Sequence, residues 1–514
     1  MEFLKEISPR DYQQKIFETC RDKNCLVVLP TGLGKTLIAL MLAIDRSKRF
    51  PGEKILFLAP TRPLAEQHLK FFKEHLPELF GSLELFTGSV SAEKRKNIWK
   101  SADVIFSTPQ CIANDLRNNL YNLSEVSLLI EDEAHRCIRN YDYTYVAEQY
   151  RKNALHQRVL GLTASPGSDT AKIREICKNL SIEDVELRTR ESEDIKHNLQ
   201  ELEFEKIQVD LPSEFIELRE IIRRIHDEYI DELKSRGLLY EIPTKVNLIK
   251  LQAKLIKMIS NGNRNFNLLK GMSACASAIK LQHALELIET QTLFGFNSYL
   301  KDLVEQSDKS KSKAVQFLVK KPGFNLALVK SKLLLENGAE HPKISELVDL
   351  IESEKSSSPS MKVIVFSQYR DTASLIAKKL NGLSGINARI FVGQLKKKDT
   401  GLSQKEQKKT IEEFSSGKIN VLCATSIGEE GLDIPEVSLV VFYEPVASAI
   451  RAIQRAGRTA RLQKGKLIVL ITKKTRDESY YYVSRRKEKK MHSAIEEIKK
   501  DLSSESGLEF QRTL

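Results

Sequence analysis

Short, nearly uninterrupted runs of Val, Ile and Leu punctuate the first part of the chain, at 25–30, 55–58, 104–106, 128–130 and 159–162. Helix-like stretches separate them. A strand with one wet face alternates apolar and polar residues, whereas runs without alternation suit strands covered on both faces, as in a parallel sheet. Repeated strand-helix-strand units with right-handed crossovers therefore predict an α/β domain over 1–204. The rhythm then changes. Leu218, Ile222, Ile225 and Tyr229 follow the three-and-four spacing of one helical face, and Leu248, Leu251, Leu255 and Ile259 repeat it. The stretch 205–340 is far too long for a loop and is expected to be a folded helical insert. After a polar stretch at 352–360 (ESEKSSSPS), read as a loop, apolar runs return at 363–366, 388–392, 421–424, 439–443 and 467–471. They predict a second α/β domain over 341–484. Residues 485–514 start basic and end polar, and are expected to form a terminal tail whose helix frays.

Composition narrows the function classes. A chain of 514 residues holds roughly three domains at usual sizes. Its 41% hydrophobic and 29% charged residues are those of a globular protein, not a disordered or fibrous one. The longest apolar run, 37–44, is too short to span a bilayer, and the N-terminus lacks a signal-like apolar region. The expectation is no membrane partner and a cytoplasmic protein, nucleoid-associated if archaeal. Lys plus Arg number 81 against 69 for Asp plus Glu, a formal charge of +12 that attracts polyanions such as nucleic acid. Lys309, Lys311, Lys313, Lys320 and Lys321 near the end of the insert fit either a solvated face or a nucleic-acid contact. The seven cysteines are odd in number and contain no CxxC pair, which argues for reduced thiols and against a structural metal.

The chemistry lies where the apolar runs end. Pro30-Thr31-Gly32-Leu33-Gly34-Lys35-Thr36 follows the first run and precedes an apolar helix, which is the setting of a phosphate loop. Glycines let backbone N–H groups approach a phosphate; Lys35 would reach the β/γ-phosphates of ATP and the Thr36 hydroxyl would hold Mg²⁺. The first glycine of the general pattern is replaced by Leu29. Asp132-Glu133-Ala134-His135 ends another run; its first carboxylate can hold the Mg²⁺ shell and the next can polarise the attacking water. Gln13, just upstream of the loop, could read the adenine edge or be a plain surface residue. Thr61 with Arg62, Ser107-Thr108 and Thr163-Ala164-Ser165 also end runs, and their hydroxyls and charge suit sugar-phosphate contacts. The second α/β unit has no phosphate loop. It carries Thr425-Ser426-Ile427-Gly428-Glu429-Glu430-Gly431-Leu432-Asp433 and Gln454-Arg455-Ala456-Gly457-Arg458-Thr459-Ala460-Arg461. Arg458 and Arg461, three apart, would share a helical face and could act as arginine fingers on a neighbouring domain's γ-phosphate.

PTGLGKT, DEAH, TAS, the TSIGEEGLD segment and QRAGRTAR, in this order and with 363–367 as a further motif, resemble the motifs of superfamily 2 helicases. LPTGLGKT, DEAHR, LTASPG, FVGQ, GLSQKEQ, EEGLD and VVFYEP are similar to the archaeal Hef helicases and their Fanconi anaemia M-group relatives over nearly the whole chain. Dicer and antiviral RNA-sensor helicases share the architecture more distantly. The resemblance implies two RecA-like parallel-sheet domains, with ATP in the cleft between them and a helical insert. By motif match, Gln13, Thr31, Gly32, Leu33, Gly34, Lys35 and Thr36 would bind the nucleotide. Asp132 and Thr36 would support Mg²⁺ and Glu133 would activate water. Gln454, Arg458 and Arg461 would complete the site, with Gly431 and Asp433 on its ribose side. Thr61, Arg62, Thr108, Ser367 and Thr425 would track one nucleic-acid strand. The implied activity is ATP-driven unwinding or translocation on branched DNA, forks and Holliday-type junctions, in repair or restart. A structure-specific nuclease or a sliding clamp would be its partner. The alternative is a duplex-RNA-binding ATPase, sensor or RNA helicase of the same superfamily. Full-length Hef carries an XPF-type nuclease; this chain has no ERK triplet and is expected not to cut DNA by itself.

Overall fold

The computed structural model describes residues 4–77, 80–190, 192–196, 201–263, 265–309, 312–393, 401–425, 434–459 and 464–512. The first lobe runs α1 (Asp11–Asp22), β1 (Cys25–Val28), α2 (Lys35–Arg49), β2 (Lys54–Leu58), α3 (Arg62–His75), β3 (Leu83–Phe86) and α4 (Ala92–Ser101). It continues through β4 (Val104–Ser107), α5 (Pro109–Arg117), β5 (Val126–Asp132), α6 (Asp142–Asn153), β6 (Val159–Thr163), α7 (Thr170–Asn179) and β7 (Asp184–Leu187). Its strands form one sheet in the order β3-β4-β2-β5-β6-β1-β7, with every ladder parallel. The central strands are buried along their whole length, and so is the 37–44 stretch of α2, the packing expected of segments apolar on all sides. Because the strands are parallel, the segments after β1, β6 and β5 emerge side by side on one edge. That edge carries the phosphate loop, the Thr163–Ser165 turn and Asp132.

After α8 (Glu193–Lys196) comes β8 (Leu202–Val209), then six insert helices: α9 (Ser213–Ser235), α10 (Lys245–Ser260), α11 (Phe266–Thr290), α12 (Leu293–Asp308), α13 (Lys313–Val319) and α14 (Pro322–Glu336). Leu218, Ile222, Ile225 and Tyr229 of α9 meet Ala274, Ala278 and Leu281 of α11 in the insert's own core. The second lobe is built from α15 (Pro342–Ser357), β9 (Val363–Phe366), α16 (Arg370–Leu380), β10 (Ala388–Phe391), α17 (Gln404–Ser415), β11 (Val421–Ala424), β12 (Leu439–Phe442), α18 (Ala449–Ala456) and β13 (Gly465–Thr472), followed by α19 (Arg476–Arg512). Its all-parallel sheet has the order β10-β11-β9-β12-β13-β8.

Three features depart from the sequence reading. β8 pairs with β13 along eight residues, so the boundary drawn at 204 falls inside a strand of the second sheet. The stretch 352–360 is not wholly a loop, since α15 continues to Ser357 with Ile351 buried against the second sheet. Most consequential is the expected tail. Residues 476–512 form one helix that leaves the second lobe and lays Met491, Ala494, Ile495 and Ile498 into the hydrophobic core of the first. Arg174 on α7 clasps both Glu497 and Asp501 at 2.8 Å, and the Ser165 hydroxyl donates to Met491 Sδ at 2.9 Å.

Truncating a buried Ile to Ala removes its transfer energy and leaves a cavity, about 2–5 kcal/mol in well-packed cores. Ile495→Ala should therefore loosen the first lobe although residue 495 follows the second in sequence. Native-state hydrogen exchange would read this as faster opening of α7 and β7 amides; unchanged exchange there would show that α19 does not contribute to that core.

Candidate nucleotide and nucleic-acid site

Gly32 and Gly34 take φ values of +86° and +73°, a region open to glycine at little cost, and so turn the chain from β1 into α2. The loop is supported from α1. Tyr12 Oη and Gln13 Nε2 donate to the Leu33 carbonyl at 2.9 and 3.1 Å, and Gln13 Oε1 accepts the Arg10 N–H at 2.9 Å. A Cβ on Gly34 would press on the end of the Gln13 side chain, and the φ of +73° strains any other residue there. Gln13, suggested from sequence for the adenine edge, is buried and braces the loop, with one N–H and one lone pair left over. Lys35 Nζ lies across the base of the loop, donating to the Leu29 carbonyl at 2.8 Å.

A hydrogen-bonded chain joins the loop to the acidic motif. Thr36 Oγ1 is 3.4 Å from His68 Nδ1, and His68 Nε2 is 2.8 Å from Asp132 Oδ2. The other Asp132 oxygen accepts the Glu133 N–H at 3.0 Å, and the Tyr143 hydroxyl donates to the Asp132 carbonyl at 2.7 Å. Burial raises the Asp132 carboxyl, but the hydrogen bond and charge of His68, with help from Lys35 and the Glu133 N–H, more than offset it and hold the group below its usual range. Glu133 has φ +53° and ψ +46°, a strained backbone for a residue with a Cβ. Its carboxylate lies 3.2 Å from His135 Nδ1, which is 3.1 Å from Thr163 Oγ1. Phosphate loop, DEAH and TAS thus form one connected unit.

The second lobe reaches this unit through the end of α18. A Cβ on Gly457 would come within 2.7 Å of Thr31 Cβ, so the backbone there touches the phosphate loop directly. Arg455 is fully buried over the rings of Phe366 and Phe442, with centroids 5.0 and 5.6 Å away. Gln454 and Arg458 are both buried, on either side of it in sequence. Gly431, Asp433 and Arg461 lie outside the described residues. Beside the contact, a cavity of about 650 Å³ opens between the lobes and α19. Pro30, Thr31, Phe204, Tyr481 and Arg485 are on its walls, and Lys35 and Asp132 are not.

The residues proposed from sequence to track a strand stand at strand ends of both sheets, in unequal condition. Thr61 and Thr108 are the N-caps of α3 and α5, and neither hydroxyl makes a capping bond. Arg62 is exposed and held by Glu66 at 2.7 Å. Thr425 follows β11 and is buried, its N–H on the Phe391 carbonyl. Ser367 is fully buried, and its hydroxyl serves the turn to Tyr369 at 3.4 Å, so it does not face a strand in this conformation. His68, Tyr143, Glu444 and Arg455 carry the site's internal bonds and were not singled out from sequence. Only Arg455, inside QRAGRTAR, and Glu444, inside VVFYEP, fell in recognised motifs.

Glu444 follows β12 and is buried beside Arg455, accepting the Gln368 N–H. Burial raises its carboxyl to about 7, against the lowering influence of Arg455 and Lys343. The folded state then keeps a proton that the unfolded chain releases, so this group's contribution to stability falls as pH rises from the usual carboxylate range to about 7. Glu444→Gln should flatten the pH dependence of second-lobe unfolding by about 3 kcal/mol at most. Urea melts across that range would check it, and superimposable profiles for variant and parent would refute the shift.

Comparison with known proteins places this geometry. The chain matches the DEAD/DEAH box helicase family over residues 10–173 and the helicase conserved C-terminal domain over 342–463. Residues 214–336 match a helical bundle described as that of a putative ATP-dependent RNA helicase. A putative ATP-dependent RNA helicase of Methanocaldococcus jannaschii is 39% identical over 96% of this chain and 61% of its own length. The ATP-dependent DNA helicase mph1 of Sclerotinia sclerotiorum is 34% identical over 98% of the chain and 42% of its own length. For the mouse Fanconi anemia group M protein homolog the values are 33%, 95% and 26%. The chain thus spans about a quarter to three fifths of these curated relatives. The crystal structure of the Pyrococcus furiosus Hef helicase domain aligns with 94% of this chain and all of its own, at 42% identity and a TM-score of 0.71. On this likeness over nearly its whole length, the chain belongs to the Hef family of superfamily 2 DEAH helicases.

Proposed function

We propose that the chain is an ATP-driven DNA helicase or translocase that acts on branched DNA, forks and Holliday-type junctions, in repair or restart of replication. The observation that carries this reading is the contact of Gly457 with Thr31, which brings the segment bearing Gln454 and Arg458 against the phosphate loop. The donor set suits Mg²⁺-ATP: a left-handed glycine turn, an ammonium, a hydroxyl and an ionised carboxylate on one sheet edge. Lys35 would exchange its carbonyl partners for β/γ-phosphate oxygens. Thr36 and Asp132 would hold Mg²⁺, which when bound offsets phosphate charge. His68 keeps Asp132 ionised and oriented. Glu133 would take the proton of the attacking water, and Arg458 and Arg461 would stabilise the charge that develops on the γ-phosphate. Thr31, Gly32, Leu33 and Gly34 would offer backbone N–H groups, with Gly431 and Asp433 toward the ribose. Thr61, Arg62, Thr108 and Thr425 would hold the phosphates of one strand on both lobes, so that closing and opening the cleft advances the protein along it.

Duplex RNA is the second reading, favoured by the RNA helicase descriptions of the insert family and the Methanocaldococcus relative. The fungal relatives described as ATP-dependent DNA helicases favour DNA. Partners on that reading are a separate structure-specific nuclease or a sliding clamp. The proposed setting is DNA in the cytoplasm; no helix among the described residues is long and apolar enough to cross a membrane.

With ATP and Mg²⁺, the protein should displace the strand of a model fork. Lys35→Ala should lower ATP turnover by about a hundredfold or more while fork binding stays within about threefold. Equal turnover by variant and parent would remove the phosphate loop from the mechanism, and failure to displace any fork strand would refute unwinding.

A further inference from the structure

One helix of the insert is apolar on two opposite faces. Leu248 and Leu255 of α10 are buried against α11, with Leu251, Met258 and Ile259 packed at the same core. The other face carries Val246, Ile249 and Ile256, exposed by 61%, 49% and 55%, with exposed Ala253 between them. At 100° per residue these four lie within a stripe about 80° wide and about 15 Å long. Tyr240 and Ile242, 87% and 77% exposed in the preceding loop, extend the apolar surface toward the start of the helix. That loop is fastened to α10 by the bond from Asn247 Nδ2 to the Ile242 carbonyl at 3.1 Å. A helix apolar all round is normally enclosed by protein. Here the outer side is open.

Charge says what would cover it. α10 holds four lysines and no acidic residue. Lys245 turns back to Glu286 of α11. Lys250, Lys254 and Lys257 form a ridge along one edge of the apolar stripe, without a carboxylate in salt-bridge reach among the described residues. Lysines alone would fit a phosphate backbone. Three exposed aliphatic side chains beside them do not, since they gain nothing from phosphate and much from leaving water. A stripe of three helical turns bordered by one row of positive charge matches an amphipathic helix with apolar residues at i, i+3 and i+7 and carboxylates on one flank.

We propose that the outer face of α10 is a docking site for an acidic amphipathic helix of a protein partner. The site lies in the insert, apart from the nucleotide cleft, and does not depend on the activity proposed above. Docking there would tether a second protein to the helicase while leaving the strand ends of both lobes free.

The probe is a labelled 20-residue peptide with Leu at i, i+3 and i+7 and Glu along one flank, titrated by fluorescence anisotropy. A control peptide carries Lys in place of each Glu. The protein should bind the acidic peptide with a Kd of about 1–100 μM, more weakly at high salt, and not bind the control. Ile249→Glu and Ile256→Glu should each weaken binding about tenfold or more. The triple variant Lys250→Glu, Lys254→Glu, Lys257→Glu should lose the acidic peptide and gain the control. Circular dichroism melts unchanged from the parent would show that the exposed substitutions leave the fold intact. Absence of saturable binding, or affinity unaltered by Ile249→Glu and Ile256→Glu, would overturn the proposal. It would equally fall if those variants lost forked-DNA affinity and kept the peptide, or if they abolished a dimer of the parent that binds no peptide.

Discussion

A single helix ties the molecule together. α19 belongs by sequence to the second lobe but completes the core of the first, burying Met491, Ala494, Ile495 and Ile498 there. Its root is as firmly held as its far end. Asp477 is fully buried against the ammonium of Lys343, and its Oδ2 accepts the Thr472 N–H at 2.9 Å. Lys343 also donates to the Thr290 carbonyl at the end of α11, and Arg476 donates to the Gln282 carbonyl in the same helix. Removing charges from water is costly: burial raises the Asp477 carboxyl against the lowering charge of Lys343, and its Oδ1 has no hydrogen bond among the described residues. The pair joins the second lobe, the insert and the root of α19 at one point.

The cleft inherits its arrangement from that tie. Each sheet is parallel, so each gathers its chemically active residues on one edge, but neither edge has a complete set. On the proposed mechanism the first would supply Lys35, Thr36, Asp132 and Glu133, and the second Gln454 and Arg458. α19 limits how far the two edges separate, and the Gly457–Thr31 contact shows them already touching. The Ser165–Met491 bond carries the tie into the TAS turn, which His135 joins to Glu133 through Thr163. A shift of α19 is therefore mechanically connected to Glu133, the residue proposed to activate water.

The sequence was most legible where burial leaves one solution. The central strands of both sheets read directly as apolar runs, because parallel strands covered on both faces admit little else. β3, β7 and β8 were missed because each lies at or near an edge and mixes charge with apolar residues, as in the Glu203, Glu205 and Lys206 of β8. The docking of α19 was illegible for a similar reason. Its four buried residues recur among lysines and glutamates, and no local pattern tells which lobe they will meet. The phosphate loop and DEAH were legible because their spacing is dictated by contact with phosphate. His68 was not, since α3 brings it to Asp132 from 64 positions away without any local signature. Ser367 shows the opposite failure: a strand-end hydroxyl that looked available turns inward to stabilise its own turn.

The central claim is that this cleft couples ATP hydrolysis to movement on branched DNA. Its most direct measurement is steady-state ATP turnover with no nucleic acid, single-stranded DNA, linear duplex, forked DNA, a four-way junction and duplex RNA, all at one salt concentration. Highest turnover on the fork or junction is the predicted result. Stimulation by duplex RNA alone, or equal turnover on every substrate, would contradict it.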